Sequence, residues 1–284
     1  MMIGNHYSQA SLAQRTGLAL DEALRHGRRS ETWPQSSRVR QVRDLLIDGL
    51  DQEQLPGSMD RTRLRSAQSA AALAVNSFLP WQRAQDELPL AGWIGFDAIQ
   101  FEVRCPTGLR GTPPHLDLLA LRGGTAVAVT VRCTEYLTRR KAAVASSYDR
   151  LLAESPGLEP WVGQLEQLRA RPAVFRHVDV GSLIKNALAL GRTFPDRSAT
   201  LLYLYWEPID AEQFEDFLRH RSELERLTDM LGGARVAFAS QNFASLWQEW
   251  SERTSPSWLA GHVERLRARY DVRISTASCG KDLS

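Results

Sequence analysis

Lysine is nearly missing from this chain: three lysines (Lys141, Lys185 and Lys281) stand against 32 arginines. The bias reads first as codon usage, although the planar arginine fork also suits phosphate oxygens. The net charge is only +2, so the molecule is not a polycation that would coat nucleic acid unselectively. Cysteine is scarce too. Cys105, Cys133 and Cys279 are an odd number at unrelated spacings, which excludes a CxxC zinc pattern and a disulfide framework. A reducing cytoplasm is the expected location. Apolar runs of about 18 residues are absent, so no membrane-spanning helix is expected. The start, Met1 to His6, lacks the charged-then-apolar pattern of a secretion signal. Six histidines show neither HxH nor HExxH spacing, and no zinc site is assigned. No internal repeat is visible. What remains is an ordinary globular composition, 43% hydrophobic and 24% charged.

Periodicity divides the chain. The first 80 residues read as helical: Leu12, Leu18, Leu20 and Leu24 in one helix, Val39 to Leu50 in a second, and Arg63 to Phe78 in a third that stops before Pro80. Residues 55–60 are a turn cluster. Ile99, Phe101 and Val103 then alternate with polar residues, as in a half-buried strand. Leu116 to Leu121 and Thr125 to Cys133 follow as strands around a Gly123-Gly124 turn, which suggests a β-meander. Helices are expected at about 138–153, 159–170 and 179–190. Thr200 to Trp206 is apolar enough for a buried central strand. An amphipathic helix over about 211–231 should bury Phe214, Phe217, Leu218, Leu224, Leu227 and Leu231 and end at Gly232-Gly233. A strand at 235–239, two tryptophan-bearing helices and a short strand near Val272 complete the chain. Trp247, Trp250 and Trp258 read as core. Cys133 with His115 or His177 offers a thiol nucleophile on paper, but a packing cysteine is the simpler reading.

Several local stretches, in order, carry a resemblance. They are LAVNSF (Leu73–Phe78), TGLRGTPPHLD (Thr107–Asp117), VTVRCTEYL (Val129–Leu137), Val178–Leu190 and LLYLYWEP (Leu201–Pro208). They resemble the "LAxNxF", "PTGLRG-PPNLD", "VESKFTEYL" and "LLYLYWEP" segments of a bacterial family in the PD-(D/E)XK restriction-endonuclease-like superfamily, over roughly residues 60–250. The resemblance implies an α/β fold: a mixed sheet of four to five strands flanked by helices, with residues 1–60 as an N-terminal helical extension, 61–274 as the nuclease-like domain and 275–284 as a polar tail. In an active member, an Asp on the second strand and a Glu on the third hold a divalent metal, usually Mg²⁺, which polarises the scissile phosphate and acidifies a water. A Lys two residues after the Glu shares its strand face.

Carried over residue by residue, Asp117 matches the metal Asp, Thr130 stands in place of the Glu, and Arg132 stands in place of the Lys. A neutral hydroxyl is a poor ligand for a hard cation, and an Arg clamps phosphate but does not give up its proton near neutral pH. Arg132 is therefore expected to pair with Asp117 or Glu102, where the metal charge would have been. The leading expectation is a catalytically degenerate nuclease-like protein without a cofactor. It would bind nucleic acid, DNA more than RNA, or a partner protein, in bacterial defence or DNA processing, with no membrane role. The alternative is an active Mg²⁺- or Mn²⁺-dependent nuclease with relocated groups: Glu102 and Asp117 on the metal and Lys185 beside them, with Glu135 also near the third strand. A third reading is a protein-interaction scaffold. Arg132 and the cluster Arg61, Arg63 and Arg65 are candidate nucleic-acid contacts. Arg38, Arg40 and Arg43 form a similar cluster, with a solvated helix surface as the default.

Overall fold

The structure, a computed structural model, describes residues 11–26, 44–138 and 145–274, except 58, 65, 110 and 154. Arg38, Arg40, Arg43, Arg65, Lys141, Lys281, Cys279 and the polar tail lie outside the described residues. It is an α/β arrangement in three layers. Five strands lie in sequence order: β1 (Ala98–Arg104), β2 (His115–Arg122), β3 (Thr125–Arg132), β4 (Ser198–Tyr205) and β5 (Val236–Asn242). The first three form the expected antiparallel meander, and β3, β4 and β5 run parallel.

One face of the sheet packs against α1 (Leu12–His26), α2 (Ala70–Phe78), α7 (Phe243–Ser251) and α8 (Leu259–Tyr270) through Leu20, Leu73, Trp247, Trp250 and Leu266. The other packs against α4 (Glu159–Ala170), α5 (Val180–Thr193) and α6 (Glu215–Met230) through Trp161, Leu183, Leu188, Phe217 and Leu227. A shorter helix, α3 (Ser147–Ala153), precedes α4. Central strands buried on both faces explain the near-continuous apolar runs in β3 and β4. No helix among the described residues is long and apolar enough to cross a membrane.

Several elements differ from the sequence expectation. The described part of the expected second helix, residues 44–50, is a series of turns. Leu45, Leu46 and Ile47 are all buried in succession, which one face of a helix cannot achieve at a surface. They are fastened by fully buried Asn76, whose amide donates to Leu45 O and Tyr270 Oη at 2.8 Å and accepts from Ile47 N at 3.0 Å. The third helix starts only at Ala70, because Ser69 Oγ caps Ala72 N, and Arg61–Arg63 form a separate 3-10 turn capped by Asp60. Past Phe78 the chain enters another 3-10 turn, Leu79–Arg83; Pro80 sits in its first turn, where the missing N–H costs nothing.

The 211–231 helix is split into a 3-10 turn and α6, and Leu218 points outward at 46% exposure rather than joining the core stripe. The segment around Val272 is irregular: Val272 O accepts from Ile209 N, and Asp210 takes Ile274 N instead of a strand neighbour. Of the expected 138–153 helix, 147–153 is helical and 139–144 lies outside the described residues.

The meander contains one irregularity that matters. Ile99 and Phe101 face the α2 side, yet Val103 faces the α5 side. On β2, Leu118 and Ala120 face the α2 side, while Leu116 faces the α5 side. A regular strand keeps residues two apart on one face. Both strands therefore change face at one residue, Glu102 in β1 and Asp117 in β2. The pairs Phe101↔Leu118 and Val103↔Leu116 flank them, and Glu102 and Asp117 lie opposite each other outside the ladder.

Candidate functional site

The face change is built into the backbone at Glu102, whose φ of 57° lies in the left-handed region, at a cost of order 1 kcal/mol for a residue with a Cβ. On the far side of β2, the backbone ladder to β3 ends at Leu118↔Val129. Beyond it, Asp117 Oδ2 accepts the Val131 N–H at 2.7 Å, so a carboxylate replaces a strand carbonyl. This fixes Asp117, 4% exposed, with Oδ1 available on the opposite side.

His115 and Arg63 complete the cluster. His115 Nε2 lies 3.1 Å from Glu102 Oε2, and Nδ1 lies 3.9 Å from Asp117 Oδ1. The Arg63 guanidinium reaches in from the 3-10 turn before α2: Nη1 is 2.5 Å from Glu102 Oε1 and 2.7 Å from His115 Nε2, and Nη2 is 3.3 Å from Asp117 Oδ1. A proton on His115 Nε2 is donated to Glu102, while Arg63 Nη1, 2.7 Å from Nε2 and 3.2 Å from Nδ1, lies over the imidazole. Burial alone would raise the Glu102 carboxyl, but hydrogen bonds from His115 and Arg63, with their charges, outweigh it and hold the group below its ordinary range. For Arg63, burial works against the charge, and the fields of Asp117 and Glu102 more than restore it.

Arg132 does not make the expected pair with Asp117 or Glu102. Its Nη1 donates to Thr130 Oγ1 at 3.0 Å and to Val131 O at 2.7 Å, and its guanidinium lies 5.9 Å from the Tyr203 ring. The physical reason is position. Glu102 and Asp117 are already engaged by Arg63, and the buried Thr130 hydroxyl next to Arg132 offers a nearer acceptor. Thr130 and Arg132 do share a strand face.

Lys185, on α5, lines a cavity of about 320 Å³ together with Arg63, His115, Asp117 and Arg132. Its Nζ lies 5.8 Å from the Tyr148 ring. A second cavity of about 280 Å³ shares Arg63, Arg132 and Ser182 with the first and adds Arg176 and His177. The structure thus brings Asp117, Arg63, Arg132 and Lys185 to one cleft, while Glu102 is bound to Arg63 and is not among the residues lining it. Arg61 is exposed on its turn and is not among the residues lining either cavity. Glu135 Oε2 accepts from Cys133 N and Thr134 N and serves the turn after β3. Burial pushes the Cys133 thiol up, well away from a nucleophilic thiolate. Trp247 and Trp250 are buried core, and Trp258 packs edge-on against Trp81.

Two residues gained roles beyond their sequence reading. His115 stood out only as a possible partner for a thiol, and Arg63 only as a phosphate contact. The His115–Leu116–Asp117 spacing carried a signal, a nitrogen ligand two residues from a carboxylate. Nothing local marks Arg63, which is 39 residues from Glu102 and 54 from Asp117.

The donor set suits a divalent cation in composition. Glu102, His115 and Asp117 each offer one ligand atom, and these lie within 4.8 Å of one another. The carboxylates would hold the ion, which would supply charge to polarise a phosphate. Comparisons with family models, with curated proteins and with solved structures return no match.

Proposed function

We propose that this chain is a catalytically degenerate, restriction-endonuclease-like protein that grips nucleic acid by its phosphates without cutting it, DNA in preference to RNA. The observation that carries the reading is the Arg63 guanidinium seated between Glu102 and Asp117. A side-chain cation answers the two acidic groups that a metal would need, while Thr130 replaces the third-strand carboxylate. Beside this ion-paired cluster the cavities are lined by Arg132, Arg176 and Lys185, groups that complement phosphate. The succession of α2, the β1-β2-β3 meander, α5 and β4 accords with the resemblance, as does Asp117 at the second-strand position. A role in bacterial defence or DNA processing follows from the same resemblance.

The test pairs binding with cleavage. Labelled duplex DNA should be retained in chelator, with affinity falling as salt rises. Arg132→Ala should weaken retention across sequences and reduce the salt slope by about one phosphate contact. Incubation of DNA and RNA with Mg²⁺ or Mn²⁺ should leave both intact. Cleavage that Asp117→Ala abolishes would sink this reading.

A second reading, an active divalent-metal nuclease, is favoured by one observation: Glu102, His115 and Asp117 converge, and Lys185 lines the same cavity as Asp117. The same cleavage assay separates the two.

A further inference from the structure

We propose that Arg63 is a built-in cation closing a transition-metal site formed by Glu102, His115 and Asp117, and that withdrawal of its side chain opens that site. The inference concerns the cleft described above and rests on the functional reading only for the site's purpose. Ion binding is measured without nucleic acid, so either can fail alone.

The three groups already bind a cation. One guanidinium contacts all of them, at 2.5 Å to Glu102, 2.7 Å to His115 and 3.3 Å to Asp117. The carboxylate side chains are 8% and 4% exposed, so leaving both charges there without a cation is costly. Asp117 is held for ligation by a second contact: Val131 N–H occupies Oδ2 at 2.7 Å, and Oδ1 faces the cluster. This is how outer hydrogen bonds orient metal-binding carboxylates. Arg63 Nη1 lies 2.7 Å from His115 Nε2 and 3.2 Å from Nδ1, over the imidazole and off the in-plane lone pair that a metal would take.

Spacing agrees with the chemistry. Bonds of about 2.1 Å place neighbouring ligands roughly 3–3.5 Å apart. One imidazole gives an ion one nitrogen: His115 Nε2 lies 3.1 Å from Glu102 Oε2, and one ligand atom from each of the three residues lies within 4.8 Å of the others, so the side chains must draw together to complete the set. The imidazole nitrogen sets the preference. Mg²⁺ favours oxygen ligands and retained water, whereas Zn²⁺, Ni²⁺ and Mn²⁺ accept mixed nitrogen and oxygen.

Arg63 is also the most exposed member of the cluster. Ser69 Oγ donates to its carbonyl at 2.5 Å and holds the main chain, while the side chain is 36% exposed and has a path to solvent.

The experiment titrates metal-free full-length protein with Zn²⁺, Mn²⁺ and Mg²⁺ by calorimetry, comparing wild type with Arg63→Gln and Arg63→Met. Both variants remove the charge, and Met keeps the side-chain length. Each variant should bind one Zn²⁺ per chain, roughly 100-fold more tightly than wild type, because an internal competing charge has gone. Zn²⁺ should be preferred to Mg²⁺ by more than about tenfold. Adding Asp117→Asn should abolish binding, and adding His115→Ala should erase the preference for Zn²⁺. The proposal is overturned if the folded variants bind no ion, if wild type binds as tightly as they do, or if loss of His115 leaves ion preference unchanged. Should both variants unfold in chelator, refolding that requires Zn²⁺ supports the proposal and refolding indifferent to the ion overturns it.

Discussion

The two halves of the sheet obey different rules. In the parallel half, β3 to β5, register runs without interruption from Thr125↔Ser198 to Arg132↔Tyr205 and from Ala199↔Val236 to Tyr205↔Asn242. The antiparallel half breaks at one level, where Glu102 and Asp117 leave the ladder and both strands change face. The regular half maximises apolar burial against α4, α5 and α6. The broken half gives up ladder hydrogen bonds and accepts a strained residue to aim two carboxylates at one point. Departures of this kind, sustained by the surrounding packing, mark where a fold holds chemistry in place.

The regular half should carry most of the stability. Trp161 is fully buried, and its Nε1 donates to Val236 O at 2.9 Å. Trp161→Ala should cost about 3–5 kcal/mol in urea denaturation, the largest single effect expected here. A loss below about 1 kcal/mol would contradict the division.

Acid should act on the α2 side of the broken half. His262 Nε2 lies 3.1 Å from Ser77 O, its Nδ1 is buried without a hydrogen-bond partner among the described residues, and burial pushes its pKa down to about 4. The folded state therefore keeps it neutral, while the unfolded chain takes up a proton near pH 6.5. The stability this provides is complete above that pH and is lost as pH falls through about 4, a total of roughly 3 kcal/mol. Melting curves from pH 7 to pH 4 should show the decline, and His262→Gln should flatten it.

The break itself is tested by Asp117. Asp117→Ala strands the Val131 N–H and should cost about 1–3 kcal/mol. Asp117→Asn keeps an acceptor for that N–H and should cost less. Equal losses in chemical denaturation would mean that charge, not the ladder, is what Asp117 supplies.

The smallest effect isolates the strain. At φ 57° glycine is unstrained and alanine is not. Both lose the contacts to Arg63 and His115, so Glu102→Gly should exceed Glu102→Ala in stability by about 1 kcal/mol. The opposite order would remove backbone strain from the account of the site.

Much of the fold was legible beforehand. Alternation located β1 to β3, the apolar run located β4, and Gly123-Gly124 marked the hairpin. The errors share a cause. Leu45 to Ile47 and Val272 take their conformations from partners far along the chain, Asn76 for the former and Ile209 for the latter, and no local period encodes such partners. The site was half legible. Asp117, Glu102 and Lys185 formed an alternative site on the condition that they converge; Asp117 and Lys185 line one cavity, and Glu102 meets Asp117 through Arg63. The ion pair was assigned to Arg132, and Arg63 makes it.

The sequence by itself determined the strands β1 to β4 and the order of the meander, because these depend on side-chain period and residue identity. Only the tertiary structure decided which cation answers Glu102 and Asp117. That choice turns on distances of a few ångströms between a turn before α2 and two strands some 40 to 50 residues further on, where the nearest charge in space is not the nearest in sequence.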